Sequence, residues 1–189
     1  MLGGRLYEYY GLPKNSPTVG CYIYAEDYVK FVKNLKFYLG QEIKIVTAEN
    51  SRHAETLKRD GHETSPIGQL SDGEVEIVFL HYHDPAVAKE KWERRVKRVN
   101  WDNLIIKNSY MCHCDDDLVR KFQTIKGIKK FMFVPNQYQG DMDDLVKAPS
   151  RIDSATDLGD DVFDLNKYVD TTELINRPIT GWKDLYSDI

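Results

Sequence analysis

The sequence has few cysteines and no long hydrophobic run. Its three cysteines, Cys21, Cys112 and Cys114, are an odd number and too few for a disulfide framework, which favours a reducing compartment. The N-terminal residues contain no basic segment followed by an apolar run, so no export signal is expected. The apolar residues 77–80 fall far short of the ~20 that a membrane helix requires. We therefore expect a cytoplasmic protein without a transmembrane segment, whose contact with a membrane, if it has one, is peripheral.

Common catalytic motifs and an excess of positive charge are also missing. There is no P-loop, no G-x-G-x-x-G, no G-x-S-x-G and no H-E-x-x-H, which disfavours a nucleotidase, a Rossmann dehydrogenase, an α/β-hydrolase and a zincin. The chain carries 26 Lys and Arg against 30 Asp and Glu, for a net charge of −4, and this balance argues against nucleic acid as a partner. The sequence alone names no reaction.

The charge that is present is unevenly distributed along the 189 residues. Residues 141–189 hold 12 acidic and 5 basic side chains, whereas residues 1–140 hold 18 acidic and 21 basic ones. Turn-forming residues occur near Gly140, and the apolar residues beyond it are isolated. We predict a folded body over residues 1–140 and an acidic C-terminal arm over residues 141–189 that docks on the body without being a domain of its own.

Extended and helical patterns alternate within the predicted body. We expect strands at residues 18–24, 42–47, 74–81, 103–107 and 130–134 and helices at residues 27–39, 84–98 and 115–124. The helix at 84–98 should begin with Asp84 as its N-cap and bury a stripe that contains Ala88, Trp92, Val96 and Val99. This alternation predicts the α/β class, as a layered α/β/α domain with a mostly parallel or mixed central sheet.

Two histidines, His81 and His83, end the most apolar predicted strand. Strand geometry would place both on one face, and the carboxyl ends of strands are where open α/β sheets hold ligands. They could serve as a general base with an orienting partner or as half of a metal site, and Tyr82 between them would contact the substrate. The plainer interpretation is one core histidine and one surface turn residue, and we weigh the two evenly.

The cysteine pair Cys112 and Cys114 brackets His113 before the predicted helix at 115–124. Tetrahedral zinc needs four ligands, commonly in two separated pairs, so we expect no metal site and no cofactor here. We favour aspartates that cap the helix, with cysteines that pack beside them. The alternative is that Cys114 is a nucleophile whose pKa the helix dipole lowers.

A basic strip runs along the helix at 84–98, through Lys91, Arg94, Arg95 and Arg98. On the helical wheel we place Arg95 on the polar side, so that its truncation would cost little stability. Such a strip suits a diphosphate or an anionic lipid headgroup. A solvated helix face with i,i+4 ion pairs is the slightly favoured alternative.

The aromatic residues are concentrated near the start of the chain. Seven of the twelve tyrosines lie in the first 38 residues: Tyr7, Tyr9, Tyr10, Tyr22, Tyr24, Tyr28 and Tyr38. Exposed tyrosines can stack on sugars, and they are also common in protein interfaces.

Several short motifs along residues 3–135 resemble one family. They are G-L-P at 11–13, N-S-P-T at 15–18, F-V-K-N-L at 31–35, S-P-I-G at 65–68, F-L-H-Y at 79–82, A-K-E-K-W-E-R-R at 88–95 and R-V-N-W-D-N at 98–103. The chain thereby resembles a bacterial family of unknown function whose members are described as exopolysaccharide or capsule biosynthesis proteins. The resemblance implies a cytoplasmic protein of polysaccharide assembly, with no residue role to carry over.

Two functional hypotheses follow from the residues and the resemblance. The first is a transferase of exopolysaccharide or capsule assembly that uses an activated sugar or acyl donor and a saccharide acceptor. In it, His81, His83 and Cys114 are the candidate catalytic residues, and the basic strip with Tyr82 binds the anionic donor. The second is a non-catalytic saccharide-binding or assembly protein of the same pathway that uses its tyrosine-rich face. A homo-oligomer is compatible with both.

Overall fold

The computed structural model describes residues 7–111, 113–140 and 145–148 and has the predicted α/β class. The helices are α1 Ala25–Lys33, α2 Leu35–Gly40, α3 Ala54–Arg59, α4 Pro85–Val96 and α5 Asp116–Gln123. The strands are β1 Lys44–Val46, β2 Ile67–Leu70, β3 Val75–Val78, β4 Ile105–Ser109, β5 Lys129–Pro135 and β6 Leu145–Ala148. They form two three-stranded sheets, so the layered α/β/α arrangement stays a prediction.

The described residues divide into two compact units after Val99. The first unit contains residues 7–99, and the second begins at Asn100. Most of the predicted acidic arm lies outside the described residues, except for β6, so its docking stays a prediction. No helix in the described part is long and apolar enough to cross a bilayer.

The sheet of the first unit is antiparallel, in the order β1-β2-β3. Its β2 and β3 are joined by a four-residue turn, which is far too short for a parallel crossover. Ser71 and Asp72 adopt left-handed backbone angles in this turn, with φ of 49° and 53°, and Gly73 follows with a φ of 89°. The sequence pattern missed β2 and therefore missed this hairpin.

The predicted strand at 18–24 is reduced to one bridge. Tyr22 and Val78 exchange two backbone hydrogen bonds of 2.9 Å at the outer edge of β3. Before this bridge, Gly20 turns the chain with a φ of 88°. A methyl group at Gly20 would lie 2.5 Å from the ring of Tyr82, so the close approach also requires glycine.

Among the helices of the first unit, α4 begins at a side-chain N-cap, whereas α1, α2 and α3 have none. Asp84 accepts the Ala86 N–H at 2.8 Å and caps α4, with Pro85 in the first turn, as predicted. Ala88 and Trp92 of the predicted stripe are buried. The predicted helix at 27–39 is instead two helices, because Asn34 leaves the helical region with φ −127° and ψ 46°.

The second unit is a parallel sheet in the order β4-β5-β6, with α5 connecting β4 to β5. Asp115 caps α5 by accepting the Leu118 N–H at 2.8 Å, which confirms the predicted capping role. Phe122 of α5 and Phe133 of β5 are fully buried.

Candidate functional site

A buried carboxylate, that of Asp27, lies at the centre of the first unit. Asp27 is in the first turn of α1 and has no exposed surface. Its Oδ2 accepts the backbone N–H of Glu76 at 2.9 Å. This N–H lies on the outer edge of β3, two residues before the bridge between Val78 and Tyr22. The Asp27 side chain therefore provides the acceptor that a neighbouring strand would otherwise supply.

The segment that follows β1 brings two further side chains to Asp27. A 3-10 turn at Ala48–Asn50 leads into Ser51, Arg52 and His53. The Nε2 atom of His53 lies 3.2 Å from Oδ2 of Asp27, and Arg52 forms an ion pair with Oδ1. Both side chains thus contact one carboxylate.

A second buried carboxylate, that of Glu76, fixes the same segment. It accepts hydrogen bonds from the hydroxyl of Ser51, from the Arg52 N–H at 3.3 Å and from Gln69 Nε2 at 2.8 Å. The Ser51 oxygen in turn accepts the His53 N–H at 2.9 Å. Because these donors satisfy the carboxylate and the hydroxyl, residues 51–53 are held rigidly against β3.

The charge of Asp27 is stabilised in spite of its burial. Burial by itself raises the pKa of this carboxyl. Hydrogen bonds from His53, from the Glu76 N–H and from Arg52 outweigh burial and hold the pKa of Asp27 below its usual range. Asp27 is therefore ionised near neutral pH and fixes one ring nitrogen of His53.

The imidazole of His53 keeps one ring nitrogen available. Its side chain is 20% exposed, and its Nδ1 has no hydrogen-bond partner among the described residues. An ionised carboxylate only accepts hydrogen bonds, so Nε2 is the donor to Asp27, and in the neutral ring Nδ1 carries the lone pair. An imidazole anchored by a carboxylate, with its other nitrogen free, is the geometry of a general base.

Aromatic rings form a row beside His53. Tyr24 lies 4.5 Å from the His53 ring, Tyr22 lies 5.2 Å from Tyr24, and His62 lies 5.3 Å from Tyr22. Tyr24 is buried, whereas Tyr22 and His62 are half-buried. The accessible part of the row is therefore Tyr22 with His62.

A groove of about 720 Å³ opens elsewhere on the first unit. It is lined by Gln41, Glu42, Ile43, Lys44, Ile45, Ser71, Asp72, Pro85, Ala86 and Lys89. Lys89 and Glu42 form an ion pair of 2.9 Å within this lining. The β2–β3 turn that contributes Ser71 and Asp72 also accepts a 3.0 Å hydrogen bond from Arg52 to the Glu74 carbonyl.

The predicted histidines His81 and His83 are both exposed. The strand β3 ends at Val78, so strand alternation does not orient them. No side-chain hydrogen bond joins either histidine to another residue in the described part of the chain. The structure therefore does not bring them to the Asp27 carboxylate, and their catalytic role stays a prediction.

The predicted position of Arg95 on the polar side of its helix is wrong. Arg95 is only 9% exposed, and its NH1 donates to the Val19 carbonyl at 2.8 Å and to the Tyr82 hydroxyl at 2.5 Å. Tyr82 is also buried, and its hydroxyl donates to the same carbonyl at 2.7 Å. Arg95 follows Trp92 by three residues, so it shares the buried face of α4.

The other predicted donor-binding residues remain accessible. Arg94 is exposed and pairs with Glu90 at 2.8 Å, and Arg98 is exposed at the end of the helix. Lys91 places its Nζ 5.1 Å from the centre of the Tyr82 ring. Three members of the strip can thus meet a ligand, and Arg95 is held within the fold.

The predicted nucleophile Cys114 is buried, and its thiol donates to the Asp115 carbonyl at 3.6 Å. His113 beside it is exposed and has a φ of 64°. Cys112 lies outside the described residues. Among the residues that are described, no three His, Cys, Asp or Glu side chains lie close enough together to hold a metal ion.

We predict that Arg95→Ala lowers the free energy of unfolding by about 1.5–3 kcal/mol, because a buried charged hydrogen-bond donor is lost from Tyr82 and Val19. The control Arg94→Ala removes an exposed ion pair and should cost less than about 1 kcal/mol. Urea unfolding of both variants measures the difference. Equal stability of the two variants would contradict the structural role of Arg95.

The sequence patterns missed Asp27, Arg52, His53 and Glu76 as a cluster. One signal was available, since Glu76 is an acidic residue in the middle of an apolar strand that is buried on both faces. A buried carboxylate of this kind requires partners. Its partners could not be identified, because they come from distant segments.

Comparisons with known proteins identify a family and a relative of this chain. The family model described as "Domain of unknown function (DUF1919)" matches residues 1–174. An uncharacterized protein of Haemophilus influenzae is 37% identical over 94 residues, which are 50% of this chain. The chain covers 38% of the length of that relative. Neither description names a reaction, a ligand or a pathway.

Proposed function

The chain belongs to the DUF1919 family, whose function is unknown, and we propose from its own geometry that it is a transferase that moves an activated group onto a hydroxyl of a saccharide. The observation that carries this proposal is the 3.2 Å contact between His53 Nε2 and the buried carboxylate of Asp27. Carboxylate-oriented histidines with a free nitrogen activate hydroxyl groups in many enzymes.

The proposed step uses His53 as the base. The acceptor oxygen forms a bond to the transferred group, and the bond between that group and the donor's leaving group breaks. The acceptor proton moves to Nδ1 of His53. Asp27 stabilises the resulting imidazolium through Nε2, while Glu76 keeps residues 51–53 in place.

The groove of the first unit has a lining that suits a saccharide, although Asp27, Arg52 and His53 are not among its lining residues. Gln41, Glu42, Ser71 and Asp72 provide amide, carboxylate and hydroxyl groups, which hydrogen-bond well to sugar hydroxyls. The turn that carries Ser71 and Asp72 also contacts Arg52, the residue before the proposed base. The resemblance to exopolysaccharide and capsule biosynthesis proteins supports the same class of acceptor, with an activated sugar or acyl group as the donor.

The test is turnover with nucleotide-sugar and acyl-CoA donors and a panel of saccharide acceptors, with products detected by mass spectrometry. His53→Gln should lower kcat/KM about a hundredfold, the contribution of a general base. His113→Gln, at an exposed histidine of the second unit, should leave turnover unchanged. Loss of turnover in His81→Gln or His83→Gln, with His53→Gln unaffected, would instead support the predicted strand-end site.

A non-catalytic saccharide-binding protein is the second candidate. Tyr9 and Tyr10 favour it, because they are 68% and 37% exposed and pack edge to face at 4.9 Å. Such a pair offers an apolar surface with hydroxyl groups beside it. Saccharide binding that is lost in Tyr9→Ala, without turnover of any donor, would favour this candidate over the transferase.

A further inference from the structure

Arg52 and His53 occupy the two oxygens of a single buried carboxylate. His53 contacts Oδ2 of Asp27, and Arg52 pairs with Oδ1. Because both groups bind the oxygens of one carboxylate, the guanidinium and the imidazole are held side by side by one fixed group. The chain thereby places a permanent cation next to the proposed base.

The guanidinium of Arg52 is only partly used by the protein. Its NH2 pairs with Asp27 and donates to the Glu74 carbonyl at 3.0 Å. Its NH1 and Nε have no partner within residues 7–111, 113–140 and 145–148. The side chain is 34% exposed, so these nitrogens can reach a ligand.

We propose that Arg52 binds the diphosphate group of the donor, an inference that rests on the proposed transferase function. The guanidinium is a permanent cation whose N–H groups donate charge-assisted hydrogen bonds to phosphate oxygens, and Asp27 already fixes it through NH2. A phosphate oxygen that accepts from NH1 or from Nε is then held by the residue that precedes His53 in the chain. The donor molecule contains this diphosphate and carries the transferred group. In the proposed step, the acceptor oxygen that attacks this group is hydrogen-bonded to Nδ1 of His53.

The charged groups around Arg52 predict how its binding of a diphosphate would be observed. Asp27 and Glu76 are the carboxylates beside the site, and Arg52 is the cation that faces them. Glu76 accepts hydrogen bonds from three donors. Oδ2 of Asp27 contacts His53 Nε2 and accepts a backbone N–H, and Oδ1 forms the ion pair with Arg52. An added diphosphate places new negative charge beside this site and should therefore change the NMR signals of the His53 imidazole.

The decisive experiment is an NMR titration of the full chain with inorganic pyrophosphate at constant ionic strength, which follows the imidazole signals of His53. Wild type should bind, and its His53 imidazole signals should move with the pyrophosphate concentration until the site is saturated. Arg52→Gln and Arg52→Lys should weaken binding about tenfold or more, because neither side chain carries the guanidinium N–H groups at NH1 and Nε. Arg94→Gln is the matched control on the basic strip and should bind as wild type does.

Parallel titrations with a nucleoside diphosphate, coenzyme A and a short isoprenyl diphosphate distinguish the source of the diphosphate. The source that binds most tightly, with the same dependence on Arg52, identifies the carrier of the donor. Unchanged pyrophosphate binding in both Arg52 variants overturns the inference, as does loss of binding in Arg94→Gln alone. The latter result would assign the donor to the strip instead.

The outcomes separate this inference from the proposed function. Pyrophosphate binding is measured without turnover, so the two proposals are tested separately. If binding depends on Arg52 while His53→Gln remains fully active, the role of Arg52 stands and the role of His53 as general base is rejected. If His53→Gln is inactive while the Arg52 variants bind pyrophosphate normally, the transferase proposal stands and the role of Arg52 is rejected. Thermal unfolding of each variant confirms that it is folded at the temperature of the titration.

Discussion

Trp92→Ala should lower the free energy of unfolding by about 3–5 kcal/mol, the range for truncation of a large buried aromatic residue. Trp92 is 2% exposed and is the largest of the fully buried side chains of the described residues. Its ring lies 6.4 Å from Phe31 of α1 and 6.3 Å from Phe79, which follows β3. Loss of the indole would leave a cavity where α4, α1 and the end of β3 meet.

Urea unfolding monitored by circular dichroism measures this effect. Val87→Ala is the matched control, because Val87 lies on the same helix and is 39% exposed. It should cost less than about 1 kcal/mol, as surface substitutions do. A Trp92→Ala variant as stable as Val87→Ala would show that α4 does not pack through this face.

The helix that carries Trp92 shows how much local sequence can establish. Asp84 and Pro85 mark its beginning, and the spacing of Ala88 and Trp92 marks its buried face, and the structure confirms both. The same spacing did not identify Arg95 as buried. Its burial depends on the Val19 carbonyl and on Tyr82, and a helical wheel carries no information about groups from other segments.

The missed strand β2 has a different physical reason. It contains Gly68, and glycine in a strand weakens a sequence-based prediction. A methyl group at Gly68 would lie 2.8 Å from Phe79 and would also collide with Ile43, so the core requires glycine there. Without β2, the hairpin with β3 and the antiparallel sheet could not be predicted.

The candidate site was the least predictable part of the molecule. Asp27 comes from a helix, residues 51–53 come from a turn after β1, and Glu76 comes from a strand. No spacing rule connects these segments, because the contact between them depends on the path of the chain along the edge of β3. The prediction of a site at His81 and His83 relied on a rule for the carboxyl ends of strands in parallel sheets, whereas this sheet is antiparallel.

Asp27→Ala should cost about 3–5 kcal/mol of unfolding free energy, because it removes one partner of a buried ion pair. The variant leaves the Glu76 N–H, Arg52 and the His53 ring without their shared acceptor. Asp27→Asn keeps the shape and one acceptor oxygen, so it should be less destabilising than Asp27→Ala. Glu26→Gln is the control, since Glu26 is an exposed acidic residue in the same helical turn.

The unfolding free energy that Asp27→Asn loses relative to wild type should become smaller as the pH falls. The pKa of Asp27 is lower in the folded protein than in the unfolded chain, so the unfolded chain binds its proton first as the pH falls. The stabilisation by the charge is therefore complete above the unfolded pKa of about 3.9 and is lost as the pH falls through the folded pKa. Unfolding free energies of wild type and Asp27→Asn, measured from pH 7 downward, should differ by a constant amount near neutral pH and converge below about pH 4. A difference that stays constant down to pH 2, or that Glu26→Gln reproduces, would contradict a native ion pair at Asp27 and with it the orientation of His53.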